Sequence, residues 1–244
     1  MRKSWPSGYS LTRFDELDST NDEARRRAED GEQGPLWISA ARQTEGRGRR
    51  GRVWDAGSGN LAATLLLRPK AQASVIGQLS FAAALAVAEM TQFFAPDISV
   101  QVKWPNDVLG NGCKLAGILL ESGEARDGRW LAVGIGVNLA SFPAGTEFPA
   151  TSLAQLGIAA PSSDEALSVL AARFAHWYDV WMNEGFGTVR AAWLARAGGL
   201  GKSIQARLPN ATHQGVFEGI DAAGALLLNE QGQVRAIAAG EVFF

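Results

Sequence analysis

Apolar positions before residue 200 follow two different spacings. Short apolar runs predict β-strands, and apolar residues three or four positions apart predict helices. Strands are expected at residues 11–17, 36–41, 61–67, 100–103, 114–121 and 130–139. Helices are expected at residues 22–28, 75–94, 162–183 and 188–197. This order of strands and helices is typical of a mixed α/β domain.

Polar residues mark the points where two of these helices begin. Asp18-Ser19-Thr20-Asn21 supplies several side chains able to cap the helix at residues 22–28. Ser162-Ser163-Asp164-Glu165 resembles a capping box, in which a serine and a glutamate bond to each other's backbone N–H groups. The helix at residues 75–94 ends before Pro96, and its apolar spacing predicts that it is long and mostly buried.

The pattern changes after Gly198-Gly199-Leu200-Gly201. Short strand-like runs at residues 203–208, 215–220, 226–228 and 234–238 alternate with Gly, Asn and Asp turns. Such a run of short strands predicts a small β-barrel of about 45 residues. Because a glycine-rich linker stands at the change, we predict one large domain at residues 1–197 and a small β domain at residues 202–244.

Composition and charge restrict the class of protein. The 244 residues are 46% hydrophobic and 20% charged, as in globular proteins. The net charge of −2 argues against a general nucleic-acid binder, which needs a broad basic surface. Residues 1–6 lead into no export signal, and no apolar run is expected to approach the ~18 residues that span a bilayer. The single cysteine, Cys113, fits a reducing compartment, so we expect a cytoplasmic protein with no membrane partner.

Residues 46–52 form a basic loop of four arginines and three glycines. Arginine binds carboxylates and phosphates through a fixed fork of donors, and glycine lets the backbone approach a ligand closely. The empty loop is costly to order, because like charges repel and glycine loses much entropy on folding. It is therefore predicted to order around a polyanionic ligand. A solvated or nucleic-acid-binding loop is the alternative at this point.

The segment from Asp107 to Lys114 is expected to form a β-hairpin. Either Asn111-Gly112 or Gly110-Asn111 can supply its two-residue turn. The first turn pairs Asp107 with Ala116, and the second pairs Asp107 directly with Lys114. Both registers place Asp107 and Lys114 on one face of the sheet, about 5–8 Å apart. A surface ion pair without a function is the alternative reading.

Glycines interrupt two apolar strands beside this hairpin, at positions where a ligand could approach the backbone. Gly117 follows Lys114 by three residues, and Gly134 and Gly136 stand near the end of the next strand. The chain contains no G-x-G-x-x-G that opens a helix, no G-x-x-x-x-G-K-[ST] and no G-x-S-x-G. Dinucleotide, P-loop and serine hydrolase sites therefore have no support.

Four motifs, in this order and spacing, resemble those of the biotin protein ligases. They are Gly46-Arg47-Gly48-Arg49-Arg50-Gly51-Arg52-x-Trp54, Lys103-Trp104-Pro105-Asn106-Asp107, Lys114-Leu115-Ala116-Gly117-Ile118 and Gly134-x-Gly136-x-Asn138. Four ordered motifs are far more specific than one, and the resemblance covers nearly the whole chain. It implies an α/β (α+β) fold, with a mixed central β-sheet and flanking helices like those of class II synthetases. It also implies a small C-terminal SH3-like β-barrel.

The resemblance implies an enzyme that activates biotin with ATP and Mg²⁺ to biotinyl-5′-AMP. The biotinyl group would then pass to one lysine of a biotin carboxyl carrier domain, in acetyl-CoA carboxylase or another biotin-dependent carboxylase. Lys114 would lie between the biotin carboxylate and the α-phosphate, Asp107 would hold Lys114, and Arg49 would neutralise phosphate. These three residues are the expected catalytic group.

The resemblance also assigns binding residues by motif. Biotin would be bound by Ser19, Thr20, Asn21, Gln43, Gly46, Arg47, Gly48, Arg49, Lys114, Gly117, Gly134 and Gly136. ATP and the adenylate would be bound by Arg49, Arg52, Trp54, Asn106, Lys114 and Asn138, with residues 140–151 closing over the adenine. Asp107 and Asn106 would hold Mg²⁺, which prefers oxygen ligands. Helix capping is the structural alternative for Ser19 and Thr20.

Two departures from the family pattern change the expectations. Many relatives carry a DNA-binding winged helix of about 60 residues before the catalytic domain, too large a unit for the stretch before Ser19. We therefore expect a ligase without specific DNA binding. The C-terminal Glu241-Val242-Phe243-Phe244 ends in aromatic residues where many relatives carry a basic one, so the tail is not assumed to reach the nucleotide.

Three further points stay open at this level. Relatives often form homodimers edge to edge through the central sheet, so a homodimer is implied. A lipoate or octanoyl-protein ligase shares this fold and is the nearest alternative function. A ligand-binding protein without catalysis is the alternative from a different class.

Overall fold

Seven apolar runs pair into one large sheet in the computed structural model, which describes residues 5–54 and 57–244. The strands are β1 (Ser10–Leu17), β2 (Leu36–Gln43), β3 (Leu61–Leu67), β4 (Val100–Lys103), β5 (Asp107–Gly110), β6 (Cys113–Ala125) and β7 (Gly128–Val137). Their order across the sheet is β1-β2-β3-β7-β6-β5-β4. Strands β1 and β2 are parallel and all other neighbours are antiparallel, which confirms the expected mixed sheet. The prediction that no export signal is present depends partly on residues 1–4, and these lie outside the described residues.

Helices cover both faces of this sheet because apolar side chains of its strands point to both faces. The helices are α1 (Thr20–Glu29), α2 (Ala73–Ile76), α3 (Leu79–Phe94), α4 (Ser163–Glu184) and α5 (Phe186–Leu194). Ala24 and Ala28 of α1 pack against Leu36 and Ile38 on one face. On the other face, Trp37 joins the main core with α3, α4 and α5. The capping box predicted at Ser162 is confirmed.

The predicted helix at residues 75–94 is broken into α2 and α3 at Gly77 and Gln78. Glycine is a poor helix former. The side chain of Gln78 is held by tertiary hydrogen bonds, from Trp181 Nε1 at 2.9 Å and to the Ala222 carbonyl at 3.2 Å. The last helix was also predicted too late in the chain, since α5 ends at Leu194.

The segment Ser74–Phe94 is apolar and long enough to span a bilayer by length and composition, with a mean hydropathy of 1.4. The expectation that no such run exists was therefore wrong. The structure gives another reason for this composition, because 72% of the run is buried inside the protein. Leu79, Leu85 and Met90 are completely buried between the sheet and the other helices.

The C-terminal residues form a second, antiparallel sheet of five strands. They are β8 (Ser203–Arg207), β9 (Thr212–Ile220), β10 (Leu226–Glu230), β11 (Gln233–Ile237) and β12 (Glu241–Phe243), in the order β11-β10-β9-β8-β12. The sequence had indicated four of them, and β12 was missed because it is only three residues long. Buried residues of this sheet share the main core with α3, and Trp104 Nε1 donates to the Gly224 carbonyl at 3.0 Å. The boundary between residues 197 and 202 stays a prediction.

Candidate active site

A cavity of about 400 Å³ opens beside the β5–β6 hairpin, within the usual range for a small-molecule site. Every residue predicted for the site lines this cavity except Gly46. The lining predicted residues are Ser19, Thr20, Asn21, Gln43, Arg47, Gly48, Arg49, Arg52, Trp54, Asn106, Asp107, Lys114, Gly117, Gly134, Gly136 and Asn138. The fold thus brings the predicted residues together, and the role of each stays a prediction.

Gly46 is the one predicted site residue outside the cavity lining. Its carbonyl accepts a hydrogen bond from the Trp54 N–H at 2.8 Å, which closes the base of the basic loop. A side chain at this position would overlap the Trp54 backbone. A glycine at this position therefore allows the loop to close, and its contact with biotin stays a prediction.

The hairpin brings Asp107 and Lys114 together as predicted. Asn111 and Gly112 form its turn, both with positive φ (48° and 81°), as a type I′ turn requires. Lys114 Nζ lies 2.7 Å from Asp107 Oδ1, and the Asp107 side chain is mostly buried. An ion pair with limited access to water is screened less than one at the surface. It therefore holds the lysine in one place in the cavity.

A β-bulge gives this hairpin a register that neither prediction contained. Lys114 pairs with Leu109, but Asp107 pairs with Gly117, because Leu115 is an extra residue in β6. The bulge turns Gly117 to the same face as Lys114. A Cβ at Gly117 would stand 3.5 Å from Lys114 Nζ, so the glycine leaves open space beside the ammonium group.

A second lysine, Lys103, stands at the same carboxylate. Its Nζ lies 3.6 Å from Asp107 Oδ2 and 4.1 Å from the centre of the Phe148 ring. Burial lowers the pKa of the Lys103 ammonium group, and the charge of Asp107 opposes that shift. Asp107 is therefore flanked by two cationic side chains, one buried and one reaching into the cavity.

Three of the four arginines in the basic loop are paired with carboxylates. Arg47 Nη2 lies 3.0 Å from Asp22 Oδ1 and 3.1 Å from Glu121 Oε2. Arg52 and Arg50 both pair with Glu241, at 2.7 Å and 3.7 Å. The two ends of the loop are thus tied to different elements, α1 and β6 at one end and β12 at the other.

Arg49 differs from the other loop arginines. It makes no ion pair with a carboxylate in the part of the chain that the structure describes. Its Nη1 donates to Asn106 Oδ1 at 3.2 Å and to the Gly240 carbonyl at 3.4 Å. Burial and the charge of Arg50 lower the pKa of Arg49. This guanidinium is the one best placed to gain from an incoming anion.

The C-terminal tail reaches the cavity, which the sequence had not led us to assume. Glu241 and Phe243 line the cavity. Besides the loop arginines, Glu241 pairs with Arg207 at 3.1 Å, and Arg207 makes two hydrogen bonds of 2.7 Å to Glu147. Burial raises the pKa of the Glu241 carboxyl, but hydrogen bonds from Arg52 and Arg207 outweigh it, so that the net shift is downward. Glu241 therefore stays ionised and holds the basic loop against the C-terminal sheet.

Thr20 and Gln43 form a polar pair at the opposite end of the cavity. Gln43 Oε1 accepts from the Thr20 N–H at 2.8 Å and lies 3.1 Å from Thr20 Oγ1. Ser19 occupies the N-cap position of α1, but its side chain makes no capping hydrogen bond. The capping alternative for Ser19 is therefore not supported. These groups present several hydrogen-bonding atoms in a small volume.

Glycines make room for two side chains above the sheet. A Cβ at Gly136 would overlap the Trp54 indole, and a Cβ at Gly134 would overlap the Asn21 side-chain amide. Trp54 Nε1 is buried and has no hydrogen-bond partner among the described residues. A buried donor of this kind is available to a ligand.

Two asparagines complete the wall on the hairpin side. Asn106 Nδ2 donates to the Ile118 carbonyl at 2.6 Å, which fixes its side chain beside Arg49. Asn138 Nδ2 donates to the Thr151 carbonyl at 3.0 Å. Asn138 Oδ1 is buried and accepts no hydrogen bond from residues 5–54 or 57–244. It is an acceptor open to a ligand donor.

Several site residues were not predicted as such. Lys103 belongs to one of the four motifs and ends an apolar strand, which is a signal for a position near Asp107. Thr64 is the one hydroxyl in the run Leu61-Ala62-Ala63-Thr64-Leu65-Leu66-Leu67, which is a weak signal. Glu241 gave no local signal, because its position depends on how distant segments pack, and Phe148 was expected only as a member of the loop at residues 140–151.

Comparison with known proteins agrees with this geometry. Residues 13–138 match the biotin/lipoate A/B protein ligase family, and residues 199–244 match the biotin protein ligase C-terminal domain. A biotin–[acetyl-CoA-carboxylase] ligase of Paracoccus denitrificans is 46% identical over 235 residues, which are 93% of this chain and 97% of that protein. The bifunctional ligase/repressor BirA of Bacillus subtilis is 33% identical over 96% of this chain and 74% of its own length.

A solved structure shows the same fold. The biotin protein ligase from Aquifex aeolicus in complex with biotin and ATP superposes with a TM-score of 0.82 at 28% identity. The superposition covers 96% of this chain and 97% of that one. The fold and the cavity thus define a ligase of the biotin and lipoate type.

The chain belongs to the biotin/lipoate A/B protein ligase family. Within that family its relatives are biotin protein ligases, which confirms the resemblance drawn from the motifs and the ATP-dependent ligase activity expected from it.

Proposed function

We propose that this cavity joins biotin to ATP as biotinyl-5′-AMP and then passes the biotinyl group to a lysine of a biotin carboxyl carrier domain. A biotin carboxylate oxygen would attack the α-phosphorus, and pyrophosphate would leave. The acceptor amine would then attack the acyl carbon, and AMP would leave. Both steps bring anionic groups together, so charge neutralisation and placement are the main requirements.

The observation that carries the proposal is the position of Arg49 and Lys114 on one cavity. Arg49 has no carboxylate partner in the described residues, and Lys114 shares a single carboxylate with Lys103. Two anions, a carboxylate and a phosphate, would therefore meet uncompensated positive charge there. Lys114 is a point charge that can contact both oxygens, and Arg49 offers a fork suited to phosphate.

The polar pair Thr20–Gln43 suits the ureido ring of biotin. That ring is neutral and carries both N–H donors and a carbonyl acceptor, so it needs matched partners in an apolar pocket. Ser19 offers a further hydroxyl without a capping bond. On the other side, Asn138 Oδ1 is an open acceptor for an amino group such as that of adenine.

The residues expected to hold Mg²⁺ do not form a site for a resident ion. Asp107 directs its oxygens at Lys114 and Lys103, and Asn106 Oδ1 accepts from Arg49. The described residues contain no group of three or more His, Cys, Asp or Glu side chains placed to hold a metal. Ligation of Mg²⁺ by Asp107 and Asn106 stays a prediction, and no step above depends on it.

The acceptor, the assembly and the location are proposed from separate observations. A carrier domain of acetyl-CoA carboxylase is proposed as the acceptor because two relatives carry that protein in their names. A cytoplasmic location is proposed from the single cysteine, Cys113. A homodimer through the sheet is proposed because the outer edge of β1 pairs with no other strand of the described residues.

Release of pyrophosphate tests the proposed activity. The purified chain with ATP and biotin, and without acceptor, should release up to one pyrophosphate per active site in a burst. Lipoate or octanoate in place of biotin should give none. Pyrophosphate with lipoate and not with biotin would support the lipoate ligase alternative. Binding of biotin without any pyrophosphate would support the non-catalytic one.

We expect the basic loop to be protected from protease by its ligands. The four arginines lie between residues 47 and 52, and anions that neutralise them should reduce the loop's disorder. Trypsin cleavage within the loop should slow when biotin is added, and slow further with biotin and ATP. Cleavage at exposed Lys202 serves as the internal control. Equal loop cleavage under all conditions would contradict the prediction.

A further inference from the structure

Four side chains form a continuous hydrogen-bonded relay beneath the Thr20 end of the cavity. Asn21 Nδ2 lies 2.7 Å from Glu121 Oε2, and Asn21 Oδ1 lies 2.6 Å from Thr64 Oγ1. Thr64 Oγ1 is in turn 2.8 Å from Thr20 Oγ1. Thr64 is completely buried, and Thr20 and Asn21 are 4% and 5% exposed. Only Thr20 and Asn21 of this relay line the cavity.

The carboxylate at one end sets the direction of the relay. An ionised carboxylate only accepts hydrogen bonds, so it requires the NH₂ group of Asn21 on its side. That places the Asn21 carbonyl oxygen against Thr64. The carbonyl also only accepts, and at 2.6 Å it requires the Thr64 proton. A reversed amide would place two acceptors together at the Glu121 contact, so the orientation of Asn21 is set there.

The Thr20 proton is therefore used inside the protein. A hydroxyl has one proton, and Thr64 has already given its own to Asn21. The 2.8 Å contact between Thr64 and Thr20 can then be a hydrogen bond only if Thr20 donates. The other neighbour of the Thr20 hydroxyl is Gln43 Oε1, which is also an acceptor. With either partner, Thr20 Oγ1 turns lone pairs, and no proton, toward the cavity.

The same contacts fix the orientation of the Gln43 side-chain amide. Its Oε1 accepts from the Thr20 N–H at 2.8 Å, so its NH₂ group points away from Thr20 and toward Gly46. The pair Thr20–Gln43 thus presents a hydroxyl acceptor and an amide donor. A cyclic urea, with N–H groups beside a carbonyl, has the complementary pattern.

We propose that Thr64 and Glu121 are positioning residues that make Thr20 Oγ1 an acceptor and so select a ligand with an N–H donor at this point. The inference rests on the proposed function, because it names biotin as that ligand. Neither Thr64 nor Glu121 lines the cavity, so neither needs to touch the ligand. Their effect passes through the proton positions of Thr20 and Asn21. In a buried relay such a preference is costly to reverse, because reversal leaves polar groups unpaired.

Thr64→Val tests the relay with little change of shape, and Thr64→Ser is its matched control. Biotin affinity is measured by calorimetry beside two cyclic carbamate analogues, each with a ring oxygen in place of one ureido N–H. The parent should bind at least one analogue about a hundredfold more weakly than biotin, because the ring oxygen of that analogue would face an acceptor. This difference in affinity is called the analogue rejection. Thr64→Val should weaken biotin binding by about tenfold and reduce that difference in affinity to below about tenfold. Only the longer 3.1 Å contact to Gln43 Oε1, which already accepts from the Thr20 N–H, then holds the Thr20 proton, so the hydroxyl can turn toward the cavity. Thr64→Ser should restore both values, and ATP affinity should be the same in all three.

Glu121→Met supplies a second route if Thr64→Val does not fold. Glu121 is partly exposed and also pairs with Arg47, so Asp22→Asn is the control. It removes the other carboxylate partner of Arg47, together with a 3.6 Å pair to Arg25, and leaves the relay intact. Loss of analogue rejection in Glu121→Met and not in Asp22→Asn would support the relay. Unchanged rejection in Thr64→Val or Glu121→Met, or an equal loss of ATP affinity, would overturn it. If the parent itself failed to bind biotin, the proposed function would fail instead.

Discussion

Replacement of Lys114 by alanine is expected to slow formation of the adenylate by about 10²–10³-fold, the usual effect of removing one electrostatic contact to a transition state. Lys114 Nζ is held 2.7 Å from Asp107 Oδ1 at the cavity, where the carboxylate and the α-phosphate would meet. Its side chain is 29% exposed at the rim, so the fold should survive the change. The rate is measured as biotin-dependent pyrophosphate release in a single turnover.

Lys202→Ala is the control for that experiment. Lys202 is an exposed lysine in the turn before β8 and lies outside the cavity lining. It should leave the adenylation rate within about twofold of the parent, as most exposed substitutions do. Normal adenylation in Lys114→Ala would contradict the role given to Lys114. Removal of Lys114 would leave the buried Asp107 with only the longer 3.6 Å contact to Lys103. If Lys114→Ala lost its thermal unfolding transition for that reason, the double variant Lys114→Ala with Asp107→Asn would carry the test.

Arg49→Gln is expected to have the largest effect among single changes in the basic loop. Arg49 alone of the loop arginines lacks a carboxylate partner in the described part of the chain, so it has no ion pair to break in order to bind phosphate. Its loss should reduce the adenylation rate by about 10²-fold at saturating biotin. The same measurement on Arg52→Gln should show less than about tenfold, because Glu241 already holds Arg52 at 2.7 Å.

The comparison of these two arginines has a clear contrary outcome. An equal loss of adenylation rate in Arg52→Gln and Arg49→Gln would contradict the prediction. It would mean that Glu241 releases Arg52 when ATP binds. A Glu241→Gln variant distinguishes the cases. It should weaken the attachment of the loop without removing a phosphate ligand, so its effect should stay below that of Arg49→Gln. The motif alone had assigned phosphate to Arg49 and Arg52 alike, and only the ion pairs separate them.

Local patterns were sufficient to predict most of the site. The period-two alternation of a hairpin placed Asp107 and Lys114 on one face, and the structure confirms that they are neighbours. The register itself was beyond the pattern, because alternation along the strands does not reveal the extra residue at Leu115. The same bulge brings Gly117 beside Lys114, which a strict alternation would have placed on opposite faces.

Contacts between distant segments were not predictable in this way. Glu241 reaches Arg52 across 189 positions of the chain, and Thr64 reaches Asn21 across 43. Neither pair has a spacing that a periodic pattern can reveal. The interruption at Gly77 and Gln78 also lies beside contacts of this kind, since the Gln78 side chain bonds to Trp181 and Ala222. Sequence motifs therefore identified most residues of the site, and the structure was needed to show which of their charges are already paired.

Transfer of a heavy-oxygen label tests the central claim most directly. Biotin labelled in both carboxylate oxygens is incubated with the protein, ATP and a biotin carboxyl carrier domain, and the products are analysed by mass spectrometry. Attack of the carboxylate on the α-phosphorus predicts one labelled oxygen in AMP, none in pyrophosphate and a biotinylated carrier lysine. Label in inorganic phosphate, or a biotinylated carrier with unlabelled AMP, would contradict an adenylate intermediate formed at Lys114 and Arg49.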